Sequence, residues 1–144
     1  MPPARHPEPP PHAFVHHFRV GADVIDALGH AGNVSWLAWV NDIAEAHSRA
    51  AGLGPERFRE LGVLWVVRRH EIEYLAEARE GDALEALTWV DSWRGATCVR
   101  RTLFRRGDGG GVLAHAATTW AFLSAATGRP TRIPPDMAAR YGQA

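Results

Sequence analysis

The chain has 144 residues, and its 16 basic residues, all arginine, balance 16 acidic ones to a formal charge of zero and a pI near 7.1. That balance argues against a nucleic-acid partner, and the absence of lysine removes Schiff-base, phosphate-loop and lysine-base chemistry. An apolar fraction of 46% over this length suits one domain able to bury its own core.

In chain order, residues 1–12 (MPPARHPEPPPH) form a Pro-rich segment that reads as a disordered or extended tail. It lacks the apolar stretch of a secretory signal, and its His6 and His12 read as solvated. Residues 13–20 (AFVHHFRV) are aromatic and β-branched, as a first strand should be. A loop over 21–34, containing Gly29, Gly32 and Asn33, leads to the clearest helix, at 35–51. There Trp36, Val40, Ile43, His47 and Ala50 recur at helical spacing, with Trp39, Ala44 and Ala46 widening the stripe. Asn33 or Ser35 is the expected cap, and Gly52, Gly54 and Pro55 stop the helix. A short helical turn is expected at 55–61.

The second half is strand-rich. Strands are predicted at 63–75, 84–93, 96–106 and 112–123, with turns at Gly81-Asp82, Arg94-Gly95 and the Gly-rich 107–111. The segment 127–130 closes the last strand, and Ile133-Pro134-Pro135 leads to a frayed tail, so the domain is placed at 13–137 and the C-terminal tail at 138–144. One strand, one long helix and four strands joined by short turns predict an α+β domain. Its antiparallel sheet should curve around the central helix. No apolar run nears the roughly 18 residues of a membrane span. With the single Cys98, this predicts a soluble, cytoplasmic protein without disulfides.

The loop before the helix carries the chemistry. Asp26-Ala27-Leu28-Gly29-His30-Ala31-Gly32-Asn33 sets a carboxylate, glycines and a histidine ahead of a helix N-terminus. Unpaired amides and a partial positive charge there can hold an oxyanion, while a carboxylate acts as base or nucleophile. The same residues also suit an ordinary turn and helix cap, and spacing alone favours that reading. Other chemistries lack support: Cys98 sits mid-strand, no serine has the nucleophile-elbow pattern, and His16-His17 lacks zinc-ligand spacing.

Asp26-x-x-Gly29-His30-x-x-Asn33-x-x-Trp36-Leu37 resembles the D-x-x-G-H-x-x-N-x-x-Y-L signature of hot-dog-fold acyl-CoA thioesterases, the 4-hydroxybenzoyl-CoA thioesterase family. Arg69-His70-Glu71-Ile72-Glu73-Tyr74-Leu75, followed by Ala78-Arg79-x-Gly81-Asp82, is similar to the family's second-strand segment. The resemblance spans roughly residues 14–136 and implies the hot-dog fold, a curved antiparallel sheet around one long central helix.

It also implies hydrolysis of an acyl-CoA to free acid and CoA. On these positions Asp26 would be the base or nucleophile, with His30 supporting it and Asn33 a further site residue. The backbone amides of Asn33 and Val34 would hold the oxyanion. Gly29 and Trp36 would contact substrate, and Arg94, after the third strand, would grip the CoA phosphates. Arg68, Arg69, Arg100 and Arg101 are weaker candidates, expected to be solvated or paired with glutamates. No metal and no separate cofactor are implied, CoA being part of the substrate. The partners implied are an acyl-CoA and further copies of the chain, in a homodimer or homotetramer. Two alternatives remain: a hydratase-dehydratase on enoyl or hydroxyacyl thioesters, and a non-catalytic acyl-CoA-binding module. Trp36 in place of the family's Tyr, and Gly32 in place of its Asn or Ser, alter the pocket's shape.

Overall fold

The computed structural model describes residues 6–142. Its elements are β1 (Phe14–Arg19), α1 (Asn33–Ala50), α2 (Pro55–Leu61), β2 (Val63–Tyr74), β3 (Ala83–Arg94), β4 (Thr97–Arg106), β5 (Val112–Ser124) and α3 (Pro135–Arg140). A short 3-10 turn at Ala22–Val24 follows β1. The expected strands and long helix are all present, and every strand pair is antiparallel.

Helix α1 is about 27 Å long at 1.5 Å per residue. Its Trp36, Val40 and Ile43 fall on one face and are almost fully buried. They pack on Leu84 and Ala86 of β3, Phe104 of β4, and Leu113, Ala114 and Ala116 of β5. Each large side chain so buried contributes about 1.5–3 kcal/mol, which holds the helix in the curve of the sheet. The helix begins two residues earlier than predicted. Its cap is Gly32, in extended conformation and without a side-chain bond, rather than Asn33 or Ser35. At the other end Gly52, at φ 77°, reverses the chain.

The strand order is β1-β3-β4-β5-β2, so β2 lies at the far edge beside β5 and does not pair with β3. The Gly81-Asp82 turn therefore joins no hairpin. Residues 75–82 instead cross the end of the sheet, and the Gly81 and Asp82 backbones bond Val20 at the end of β1 (2.8 and 3.0 Å). That pairing starts β3 against β1.

The C-terminus differs from the expectation of a loose tail. Pro135 opens α3 at its first turn, a position where proline's missing N–H costs nothing. Met137 and Tyr141 are buried in a second apolar cluster with Leu53, Val90, Cys98, Phe122 and Ile133. The packed domain therefore continues past 137. At the other end, residues 1–5 of the expected tail lie outside the described residues. Residues 6–12 form no helix or strand, as an extended tail should, and His6 sets its ring 6.4 Å from that of His115. No helix among the described residues is long and apolar enough to cross a membrane.

Candidate active site

The loop between β1 and α1 folds around the Asp26 backbone. Its N–H donates to the His30 carbonyl (3.0 Å) and its carbonyl accepts from Gly29 (3.1 Å). The carboxylate Oδ1 accepts from the Leu28 N–H at 2.9 Å. Gly29 sits at φ 86°, in the left-handed region that an L side chain resists. It is exposed, and a Cβ there would touch nothing within 4 Å. The turn by itself is enough to call for a glycine here. The Ala31 N–H reaches the Ala78 carbonyl at 2.8 Å, tying the loop to the crossover segment.

Two residues later α1 begins. Asn33 and Val34 occupy its first turn, where amides have no acceptor four residues back. A methyl group at Gly32 would lie 3.7 Å from both Cβ and Oδ2 of Asp26. The carboxylate thus stands beside the helix start, with Oδ1 held by Leu28 and Oδ2 near His30.

Asp26, His30, Asn33, Trp36, Tyr74 and Glu77 line one cavity of about 410 Å³. Trp36 forms its floor, 3% exposed and locked by Trp39, Phe104 and Tyr74 at ring distances of 4.9, 5.2 and 6.3 Å. His30 stands between two carboxylates: Nδ1 is 3.9 Å from Asp26 Oδ2, and Nε2 is 3.8 Å from Glu77 Oε1. Glu77 was not singled out from sequence. It lies 51 residues beyond Asp26 in an irregular segment, and only the crossover's path brings it to the cavity.

Such a cavity can bind a polarised carbonyl between a general base and helix amides, and can stabilise the negative charge that develops on its oxygen. Tyr74 of its lining is 47% exposed, and Leu28 and Val34, adjacent in sequence to lining residues, are 79% and 75% exposed.

The arginine expectations fare differently. Arg94 ends β3, whereas Asp26 lies near that strand's start; twelve residues at about 3.3 Å each separate the two ends by roughly 35 Å. One chain does not bring them together. Arg69 and Arg101 pair with Glu71 and Asp91, as expected of a solvated face, and Arg68 is exposed. Arg100 is neither solvated nor paired with a glutamate: it is 5% exposed. Cations at the Asp26 end include Arg19, whose guanidinium donates to the Gly81 carbonyl; Arg79, whose guanidinium pairs with Glu77 while its amide bonds Asp82; and Arg106, whose guanidinium reaches the Asp82 carboxylate and the Glu77 carbonyl. Cys98 is buried, and burial pushes its thiol up to about 12, as expected of a structural cysteine. Among the described residues no three His, Cys, Asp or Glu side chains converge on a metal position.

Comparison with known proteins places these observations. Residues 11–141 match the acyl-ACP thioesterase N-terminal domain family. The chain is 28% identical over 123 residues to the chloroplastic palmitoyl-acyl carrier protein thioesterase of Arabidopsis thaliana, covering 83% of this chain and 29% of that one. It is similar to a Lactobacillus plantarum structure provisionally described as an oleoyl thioesterase (TM-score 0.85, 24% identity), covering 90% of this chain and 50% of the other. It is also similar to Slr0204, a 1,4-dihydroxy-2-naphthoyl-CoA thioesterase from Synechocystis (TM-score 0.83, 14% identity), covering 91% and 96%. The chain thus spans under a third of the plant enzyme and half of the Lactobacillus protein, but nearly all of the Synechocystis one. The expected hot-dog fold is present.

Proposed function

The chain belongs to the acyl-ACP thioesterase N-terminal domain family, and on that premise we propose that it hydrolyses an acyl thioester to a carboxylic acid and a thiol. The observation that carries the reading is that Asp26 and Asn33, the first residue of α1, line one cavity, with the Asp26 carboxylate beside Gly32 at the helix start.

The thioester carbonyl oxygen sits toward the Asn33 and Val34 N–H groups, whose partial positive charge grows in value as the oxygen becomes an anion. Oδ2 of Asp26, the oxygen not held by Leu28, removes a proton from water as it attacks; in the nucleophilic route it attacks the carbonyl itself, and the acyl-aspartyl anhydride left once the thiolate departs is then cleaved by water to free the acid. The tetrahedral intermediate then collapses, breaking the carbon–sulfur bond and releasing the thiolate, which takes up a proton. His30, between Asp26 and Glu77, supports the polar side of the cavity, and Trp36 packs against the acyl group. This chemistry needs neither a metal nor a cofactor.

Coenzyme A is the carrier that the sequence resemblance implies; the family's name favours an acyl carrier protein. Both present the same thiol arm. The exposed Leu28 and Val34, adjacent in sequence to lining residues, suit cover by a second copy of this chain, in a homodimer or a tetramer of such pairs. From one chain Arg94 is too distant to touch phosphates bound at Asp26, so its proposed grip on CoA requires that second copy.

The test is thiol release, followed with a chromogenic reagent, from matched acyl-CoA and acyl-carrier-protein panels. Turnover of either carrier supports thioester hydrolysis, and the faster one identifies the substrate class. Binding without release from both would leave a non-catalytic acyl-thioester module and overturn the proposal.

A further inference from the structure

A second, larger cavity of about 560 Å³ lies at the other end of the molecule, between the C-terminal half of α1, α2, α3 and the sheet. Its walls are mostly apolar, with Leu53, Phe58, Trp65, Val90, Trp93 and Trp120 among them. Exposed Asn41, Glu45, Arg59 and Leu64 border it toward solvent. Its size is that of a small-molecule site.

Within this apolar wall sits Arg100, 5% exposed. Its guanidinium donates to Nδ1 of His47 at 2.9 Å and to Oγ1 of Thr88 at 3.1 Å, and it lies 5.5 Å from the Tyr141 ring centre. The Thr88 hydroxyl donates its own proton to the Arg101 carbonyl (2.8 Å), leaving its oxygen free to accept. All these partners are neutral. Among the described residues no carboxylate forms an ion pair with Arg100; the nearby arginines that do pair, Arg101 and Arg105, face Asp91 and Glu85 instead. A buried cation with no counter-ion is costly, and buried charges are ordinarily paired. The wall also contains two indole N–H groups, of Trp93 and Trp120, that are buried without an acceptor among the described residues. It is rich in donors and apolar surface, and poor in anions.

We propose that this cavity is a binding site for an apolar carboxylic acid, its chain held among the aromatic and aliphatic walls and its carboxylate paired with Arg100. The site is separate from the Asp26 cavity. The residues that line the two are different, and α1 carries His47 about 21 Å along its axis from Asn33. An alkyl carboxylate supplies what the site lacks: two acceptor oxygens that match the planar fork of a guanidinium. Such an acid is also the class of product that the proposed hydrolysis releases; that link rests on the thioesterase reading, but the binding does not.

The probe is octanoate, compared with 1-octanol of the same chain length, titrated calorimetrically into the full chain. Octanoate should bind at least tenfold more tightly than 1-octanol. Arg100→Met should remove that preference while keeping 1-octanol binding, and Asp26→Asn should retain it. Equal binding of the two probes overturns the proposal, as does a preference that survives Arg100→Met or is lost in Asp26→Asn. If Arg100→Met does not fold, Ala44→Leu narrows the cavity with Arg100 in place. It should weaken octanoate at least tenfold, and undiminished binding would overturn the site. Because none of these readouts is turnover, failure here and failure of the hydrolysis assay are separate results.

Discussion

Arg100 donates to Nδ1 of His47 at 2.9 Å, and since a guanidinium only donates, that nitrogen must be unprotonated. The imidazole is 6% exposed, with Phe14 stacked on it at 5.1 Å and Tyr141 edge-on at 5.0 Å. Burial, then the Arg100 charge and then that of His12, lower its pKa from 6.5 to about 4.

Stability should therefore fall with acidification. The folded state keeps His47 neutral down to about pH 4, whereas the unfolded chain takes up a proton below 6.5. Between those values the unfolded state binds more protons, so acid favours unfolding by on the order of 2–3 kcal/mol across the window. Burial lowers His70 in the same direction. Asp82, held low by the Arg79 amide and Arg106, adds a further loss only as the pH falls through and below the ordinary carboxylate value. Urea unfolding of the native chain at pH 7 and 4.5, beside His47→Asn, measures this. The variant should lose much of the pH dependence; an equal slope in both would exclude His47 as its source.

Asp26→Asn should fold normally, because its side-chain oxygen can still accept from Leu28. Thioester turnover should drop at least about 10²-fold, the usual cost of losing a general base, with little change in KM. Kinetics of thiol release check both halves, and a variant as fast as the parent would remove Asp26 from the mechanism.

Two glycines should respond in opposite ways. Gly29→Ala places a side chain at φ 86° with nothing around it, so the cost is conformational, about 1 kcal/mol in thermal or urea unfolding. Gly32→Ala, at φ −73°, carries no such strain and should leave stability within about 0.5 kcal/mol. Its methyl group would stand 3.7 Å from Asp26 Oδ2, and turnover should fall.

If a second copy covers Leu28 and Val34, the native chain should sediment as a dimer or larger. Val34→Asp should shift it toward monomer. An acidic residue in the first turn suits the helix dipole, so helix loss would not explain the shift. A native chain that is monomeric at assay concentration and active would overturn the proposed pairing. Arg94→Ala should raise KM for an acyl-CoA, but not for a nucleotide-free thioester, only in the assembled state.

The C-terminal segment should prove structural. Tyr141 is 3% exposed, and its hydroxyl lies 2.9 Å from Ser48 Oγ on α1. Tyr141→Phe should cost about 1 kcal/mol, the net worth of one hydrogen bond. Tyr141→Ala should cost about 3–5 kcal/mol, as for a large aromatic removed from a core. Thermal unfolding distinguishes these from the near-zero cost expected of a loose tail.

How much of this was legible in the sequence follows from the range of each interaction. The 3.6-residue stripe of Trp36, Val40, Ile43 and His47 is local, and so is the alternation of the strands; the central helix and the wrapping sheet could be read from them. Asp26, His30 and Asn33 fall within eight residues, so one loop and one helix start were enough to place them together. Proline was misread at the C-terminus because Pro135 can end a chain segment or open a helix. The choice depends on whether Met137 and Tyr141 find a core, which residue pattern alone does not say.

From sequence alone came the fold class, the Asp26 loop before the helix, and the exclusion of lysine chemistry. The tertiary structure decided matters of long sequence separation. It carried β2 to the far edge, brought Glu77 to His30, set Arg94 a strand's length from Asp26, and turned Arg100 inward toward His47. Local sequence specifies dihedral preferences and which face is apolar. Which strand edges meet, and what surrounds a buried charge, depends on the closed path of the whole chain, where one shift of register sends every side chain to the opposite face.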